Sequence, residues 1–208
     1  MRAELTDKGE KIMERINKTE YIVAMTGGSG SVYGVRLVTE LLSRGYSVHL
    51  ILSDLGQELS DSGQMMSNWI EDMEKRYASQ IKVVDSHRAD AEIGKHSYLW
   101  EGMIVVPCSM TTIAQIAHGV DENLILNCAN ICVKQHRNLI LVPRETPLTQ
   151  VHLENMLTLA KEGVQIVPAM PAVTHKPTTL TEMVDYMVGK ILDGLEIENR
   201  LTIKDKEK

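Results

Sequence analysis

Phenylalanine is absent from this chain of 208 residues, and six Tyr and two Trp are its only aromatic side chains. Proteins that stack nucleic-acid bases need aromatic platforms. Those that grip phosphate backbones need an excess of Lys and Arg. Here 22 basic residues face 28 acidic ones, a net charge of −6. Both shortages argue against nucleic acid as a partner. Cysteine is scarce too. Cys108, Cys128 and Cys132 form an odd set with no C-x-x-C, which argues against a secreted disulfide framework and for a reducing cytoplasm. The first twenty residues carry five basic and five acidic side chains and lack the apolar stretch of a signal peptide. No window approaches the run of about eighteen apolar residues that spans a bilayer. No G-x-x-x-x-G-K-[ST] occurs, which argues against a P-loop hydrolase.

What remains is an ordinary globular composition, 43% hydrophobic and 24% charged. A chain this long buries enough surface to fold without a disulfide or metal staple. Twelve Met supply adaptable bulk in place of the missing aromatics.

Apolar runs at Tyr21 to Met25, Tyr46 to Leu52, Met103 to Val106, Leu139 to Val142 and Gln165 to Val167 predict strands, with a shorter one at Ile81 to Val84. Between them, helices are predicted at Val32 to Arg44, Leu55 to Tyr77, Thr112 to Ala117, Asn123 to Lys134, Thr149 to Lys161 and Leu180 to Leu192. The strands are continuous apolar runs rather than alternating ones. That pattern predicts a single α/β domain whose parallel sheet is covered on both faces. Residues 1–20 read as a charged arm or helix, 21–198 as the domain and 199–208 as a polar tail.

In such sheets, ligands sit beyond the carboxyl ends of the strands. The segments there are TGGSGS from Thr26, SD from Ser53, PCSMTT from Pro107, PRETP from Pro143 and PAMPAVTHKP from Pro168. Together they describe a polar crevice. The first is glycine-rich and runs into a helix, so its backbone N–H groups, Ser29 and Ser31 suit a phosphate. A tight turn with no ligand, or a dinucleotide site built on Gly28, Gly30 and Gly34, remains open. Arg144 and Glu145 lie between Pro143 and Pro147; the arginine suits a phosphate or flavin carbonyl and the glutamate a proton transfer, unless they are a structural ion pair. Cys128, Cys132 and His136 share a helix face, which reads as core packing rather than a metal site, and Cys108 also reads as packing.

Taken in order, G-G-S-G-S-V-Y-G-V-R-L from Gly27, P-C-S-M-T-T from Pro107, R-E-T-P-L from Arg144 and P-A-M-P-A-V-T-H-K-P from Pro168 resemble the UbiX-type flavin prenyltransferases. The resemblance covers roughly residues 20 to 195. It implies a Rossmann-like or flavodoxin-like three-layer fold, bound FMN and a large homo-oligomer, usually a dodecamer built from trimers. It also implies transfer of a dimethylallyl group from its phosphate to N5 and C6 of reduced FMN, giving a cofactor for a partner decarboxylase. Carried over residue by residue, Gly27, Gly28, Ser29, Ser53, Ser109, Met110, Thr112 and Arg144 would hold FMN. Glu145 would be the acid–base residue, and Lys134 and Lys190 would hold the prenyl phosphate. No metal is implied. The chain departs from the family at Thr111, Asn127 and Thr174, which replace a Lys, an Arg and a Tyr. An FMN-dependent decarboxylase or redox protein, a flavin carrier, and a nicotinamide-dependent dehydrogenase stand as alternatives.

Overall fold

The apolar runs become six strands that all pair in parallel: β1 (Glu20–Met25), β2 (Ser47–Leu52), β3 (Ile81–Asp85), β4 (Gly102–Cys108), β5 (Asn138–Pro143) and β6 (Gln165–Ile166). The structure is a computed structural model that describes residues 19–54, 63–88, 91–174 and 176–201. Most of the expected N-terminal arm and tail, the start of the helix predicted from Leu55, and His175 fall outside those residues. The helices are α1 (Ser31–Ser43), α2 (Gly63–Arg76), α3 (Met110–Ala117), α4 (Leu124–Gln135), α5 (Gln150–Lys161) and α6 (Leu180–Gly194). Two boundaries moved for identifiable reasons. The third run extends through Pro107 to Cys108 across a register shift against β5. Helix α3 starts at Met110 because Ser109 caps it, its Oγ accepting the Thr112 N–H at 3.1 Å.

The strands lie in the order β3-β2-β1-β4-β5-β6. The chain winds outward from β1 in one direction and from β4 in the other, so β1 and β4 flank a topological switch point. Alternate residues of one strand feed two cores. Tyr21, Val23 and Met25 pack with α1, α2 and α6, whereas Ile22 and Ala24 pack with α3 and α4. Burial on both faces is why the strands read as unbroken apolar runs.

Helix α1 approaches the sheet closely at Gly34. A Cβ there would stand 2.5 Å from the Val106 carbonyl oxygen and 2.7 Å from Met25 Cε. At the opposite, amino-terminal end of the sheet, Glu20 Oε2 accepts hydrogen bonds from His49 Nε2 (2.8 Å) and the Tyr98 hydroxyl (2.9 Å). Burial raises the Glu20 pKa, but those hydrogen bonds and the charges of His49 and Lys82 outweigh it, so the carboxyl titrates below its usual 4.5. A depressed folded-state pKa stabilises the fold above the unfolded pKa, and the gain is lost as pH falls through the folded one. Denaturation midpoints of the parent should therefore fall on acidification below pH 4.5, and Glu20→Gln should flatten that acid limb.

Candidate functional site

Thr26 joins the two loops at the switch point. Its N–H donates to the Pro107 carbonyl at 3.0 Å, and its Oγ1 accepts the Ser109 N–H at 3.0 Å. Gly27 follows at φ +105°, a conformation that favours glycine. Beyond this weld lies a cavity of about 280 Å³ lined by Thr26, Gly27, Ser53, Asp54, Ser109, Thr111, Thr112, Gln115, Asn123, Ile125 and Leu126. Two helices begin at its wall. Ser109 caps α3, and Asn123 caps α4 through its Oδ1, which accepts the Leu126 N–H at 3.0 Å. Both helix dipoles therefore present their positive ends to the cavity, beside the hydroxyls of Ser53, Ser109 and Thr112. The donors suit a phosphate monoester. Among the lining residues Asp54 carries the only formal charge.

A second cavity, about 540 Å³, opens beyond the end of β5. Arg144, Glu145 and Thr146 form its polar side. Pro143, Leu148, Met156, Pro168, Ala169 and Met170 form apolar walls. Arg144 Nε donates to the Ser29 carbonyl at 3.3 Å, which ties this cavity to the glycine-rich loop. Gly30 stands beside this contact at φ +100°, a conformation that favours glycine; a Cβ there would make only ordinary contact, 3.6 Å from Arg144 Cδ and 3.5 Å from Pro107 Cβ. Glu145 Oε1 accepts the Thr146 N–H at 2.9 Å, leaving Oε2 to exchange a proton. The arrangement combines an anion seat, an apolar chamber and a carboxylate at its rim.

Sequence reasoning put the phosphate on the glycine-rich loop and α1. The cavity instead takes Thr26 and Gly27 from that loop and draws its helix ends from α3 and α4. The reason is that α1 leaves from Gly30, whereas β4 lies directly beside β1 and delivers α3 to the switch point. Gly28 and Ser29 do not line this cavity; Ser29 faces Arg144 through its carbonyl. Met110 is buried in the core between sheet, α3 and α4. Thr26 and Asp54 fall within the crevice segments read from the sequence but carry no assigned role there, and neither do Gln115 and Asn123, although an Asn directly before the apolar Leu124–Leu126 is a legible helix cap.

Lys134 and Lys190 do not join Arg144 and Glu145 within one chain. Lys134 lies in the last turn of α4, just before Asn138 opens β5. Lys190 lies one turn before Gly194, whose carbonyl accepts from Asn138 Nδ2 at 3.0 Å. Both stand toward the amino-terminal end of β5, a strand about 17 Å long with Arg144 beyond its other end. The three thiols are buried, as packing predicts. Burial pushes the Cys108 thiol up to about 12, against a small opposing effect of its hydrogen bond with Thr26, so it stays protonated and is no nucleophile.

The flavoprotein family model matches residues 10–197. The flavin prenyltransferase UbiX of Halalkalibacterium halodurans is 42% identical over 191 residues, covering 89% of this chain and 93% of the relative. This chain belongs to the UbiX family of flavoproteins. Among solved UbiX structures, AnUbiX (PadA1) in complex with FMN and dimethylallyl pyrophosphate superposes with a TM-score of 0.82 at 31% identity, covering 91% of this chain and 98% of that one. The dodecameric FMN-dependent UbiX-like decarboxylase of Escherichia coli O157:H7 superposes with a TM-score of 0.76 at 34% identity, covering 87% and 96%. As in those UbiX relatives, the fold is one parallel α/β domain, and among the described residues no helix is long and apolar enough to cross a membrane.

Proposed function

We propose that this protein is a flavin prenyltransferase that moves a dimethylallyl group from its phosphate ester to reduced FMN, for use by a partner decarboxylase. The observation that carries the reading is the 42% identity, over almost the whole of both chains, to the flavin prenyltransferase UbiX of Halalkalibacterium halodurans. FMN fits the residues present. The first cavity, with two helix N-termini and a row of hydroxyls, suits the phosphate of a mononucleotide. Reduced FMN supplies the electron-rich flavin edge that receives the prenyl group. Ser53, Ser109 and Thr112 hold its phosphate end, and Gly27 allows close approach of the backbone. Gly28, Ser29 and the Met110 main chain at the start of α3 would join them in holding FMN. With Nε committed to Ser29, Arg144 offers its Nη fork to a flavin carbonyl or an anion. The apolar walls of the second cavity exclude water from a dimethylallyl chain, and Glu145 holds or moves the proton at their rim.

Lys134 and Lys190 serve the prenyl phosphate in this reading only if a second copy brings them to the cavity. Helix α5 fits such an assembly. It buries Asn155 and Leu159 and turns Val151, Leu153 and Leu157 outward, and Leu148 and Met170 of the second cavity are exposed too. An apolar surface of that kind around a site marks an interface. We place the protein in the cytoplasm, where its free thiols stay reduced.

Mass spectrometry of flavin extracted after anaerobic incubation with FMN, reductant and dimethylallyl phosphate tests the activity. A prenylated flavin is expected; unmodified FMN under every condition would leave an FMN-binding relative of other chemistry. Arg144→Ala should weaken FMN binding about tenfold, the scale of one charge-assisted hydrogen bond. Unchanged affinity in a fluorescence titration removes Arg144 from the site. Light scattering should show an assembly larger than a dimer, and a monomer at micromolar protein rejects the shared site.

A further inference from the structure

The first cavity is built for an anion, yet one of its lining residues is an aspartate. Asp54 follows Ser53 at the end of β2 and stands on the same wall as the helix N-termini of α3 and α4. Unscreened, its charge repels a phosphate dianion. Its partner is His87, from the loop after β3. His87 Nε2 lies 2.9 Å from Asp54 Oδ1 and 3.2 Å from Oδ2. Asp85 fixes that loop, its Oδ1 accepting the His87 main-chain N–H at 2.9 Å. A carboxylate only accepts hydrogen bonds, so Nε2 carries a proton toward Asp54 whatever the state of Nδ1.

We propose that His87 is a positioning residue for the flavin phosphate: held against Asp54 at the cavity wall, its imidazolium neutralises that carboxylate and lets the cavity accept a phosphate monoester. The inference rests on the FMN reading of this cavity. The hydrogen bond to Asp54 and the charge of Asp54 hold the His87 imidazolium above its usual 6.5, against a small desolvation effect, with Asp85 adding in the same direction. Among the described residues, charged side chains on the elements that meet there are Asp54, Lys82, Asp85 and Arg88, with Asp121 and Glu122 on the loop entering α4, which docks by the Leu124 N–H to the Ser86 carbonyl at 2.9 Å. Deprotonation of His87 leaves an acidic wall, so FMN affinity falls on the alkaline side of its titration. The pair is exposed, at 66% for His87 and 70% for Asp54, which sets a modest scale and a strong salt dependence.

Fluorescence titrations with FMN and with riboflavin, which lacks the phosphate, test this. His87→Gln should weaken FMN binding roughly twofold to fivefold at low salt and leave riboflavin unchanged. His87→Lys, a permanent cation, should restore FMN affinity and abolish the decline above neutral pH that the parent shows. In an Asp54→Asn background, His87→Gln should have no further effect. Equal losses for FMN and riboflavin, or a full His87→Gln effect in Asp54→Asn, overturn the proposal while leaving the FMN site standing. Failure of the parent to bind FMN overturns both.

Discussion

Glu145→Gln is expected to lower prenyl transfer by about two to four orders of magnitude while FMN stays bound. Glutamine keeps the shape of the side chain, and its carbonyl oxygen can still accept the Thr146 N–H that orients Glu145. It cannot give up or take a proton at the second oxygen. The loss therefore isolates proton transfer from packing, and in barrier terms amounts to about 3–5 kcal/mol. Single-turnover formation of prenylated flavin should slow while the FMN titration of the variant overlays that of the parent. Turnover close to the parent's value removes Glu145 from the chemistry. A parallel loss of FMN affinity recasts it as a binding residue.

Among the described glycines, Gly34→Ala should be the most damaging added methyl group. The added carbon meets the Val106 carbonyl oxygen at 2.5 Å, in the stretch of the central strand β4 where its register against β5 shifts. Met25 can move its methyl, but a main-chain oxygen has less freedom than a side-chain end, so α1 must lift. Overpacking of this kind costs about 3 kcal/mol. For a chain of this size that lowers the thermal midpoint by about 10 °C. Because α1 carries the glycine-rich loop at its start, lifting it also moves Ser29 away from Arg144, so FMN binding should weaken even where the variant remains folded. A variant with the parent's midpoint shows that the helix has slack that this packing does not suggest.

The strands and their parallel arrangement were legible because burial on both faces writes itself as an unbroken run such as Ile22, Val23 and Ala24. The polar crevice was legible for a topological reason: most of the loops it needs leave a carboxyl strand end. The membership of each cavity was harder to read. Asn123 reaches the site only because α4 starts beside the switch point, and strand order is not written in any local segment. Asp54 and His87 are separated by 33 positions and meet only through the pairing of β2 with β3. Lys134 is a near neighbour of Arg144 in sequence, but a helix and the strand that follows it run antiparallel, which puts the two at opposite ends of the sheet.

The caps of α3 and α4 have a bearing on how this protein tolerates change. Most of the positive potential in the first cavity comes from main-chain N–H groups, which every residue except proline supplies. Random substitution can therefore exchange hydroxyls around the phosphate seat and leave a workable anion site behind. Glu145 has no such reserve, because proton transfer needs its side chain and a single codon change erases it. A lineage released from selection for prenyl transfer would lose the chemistry first and go on holding flavin long afterwards.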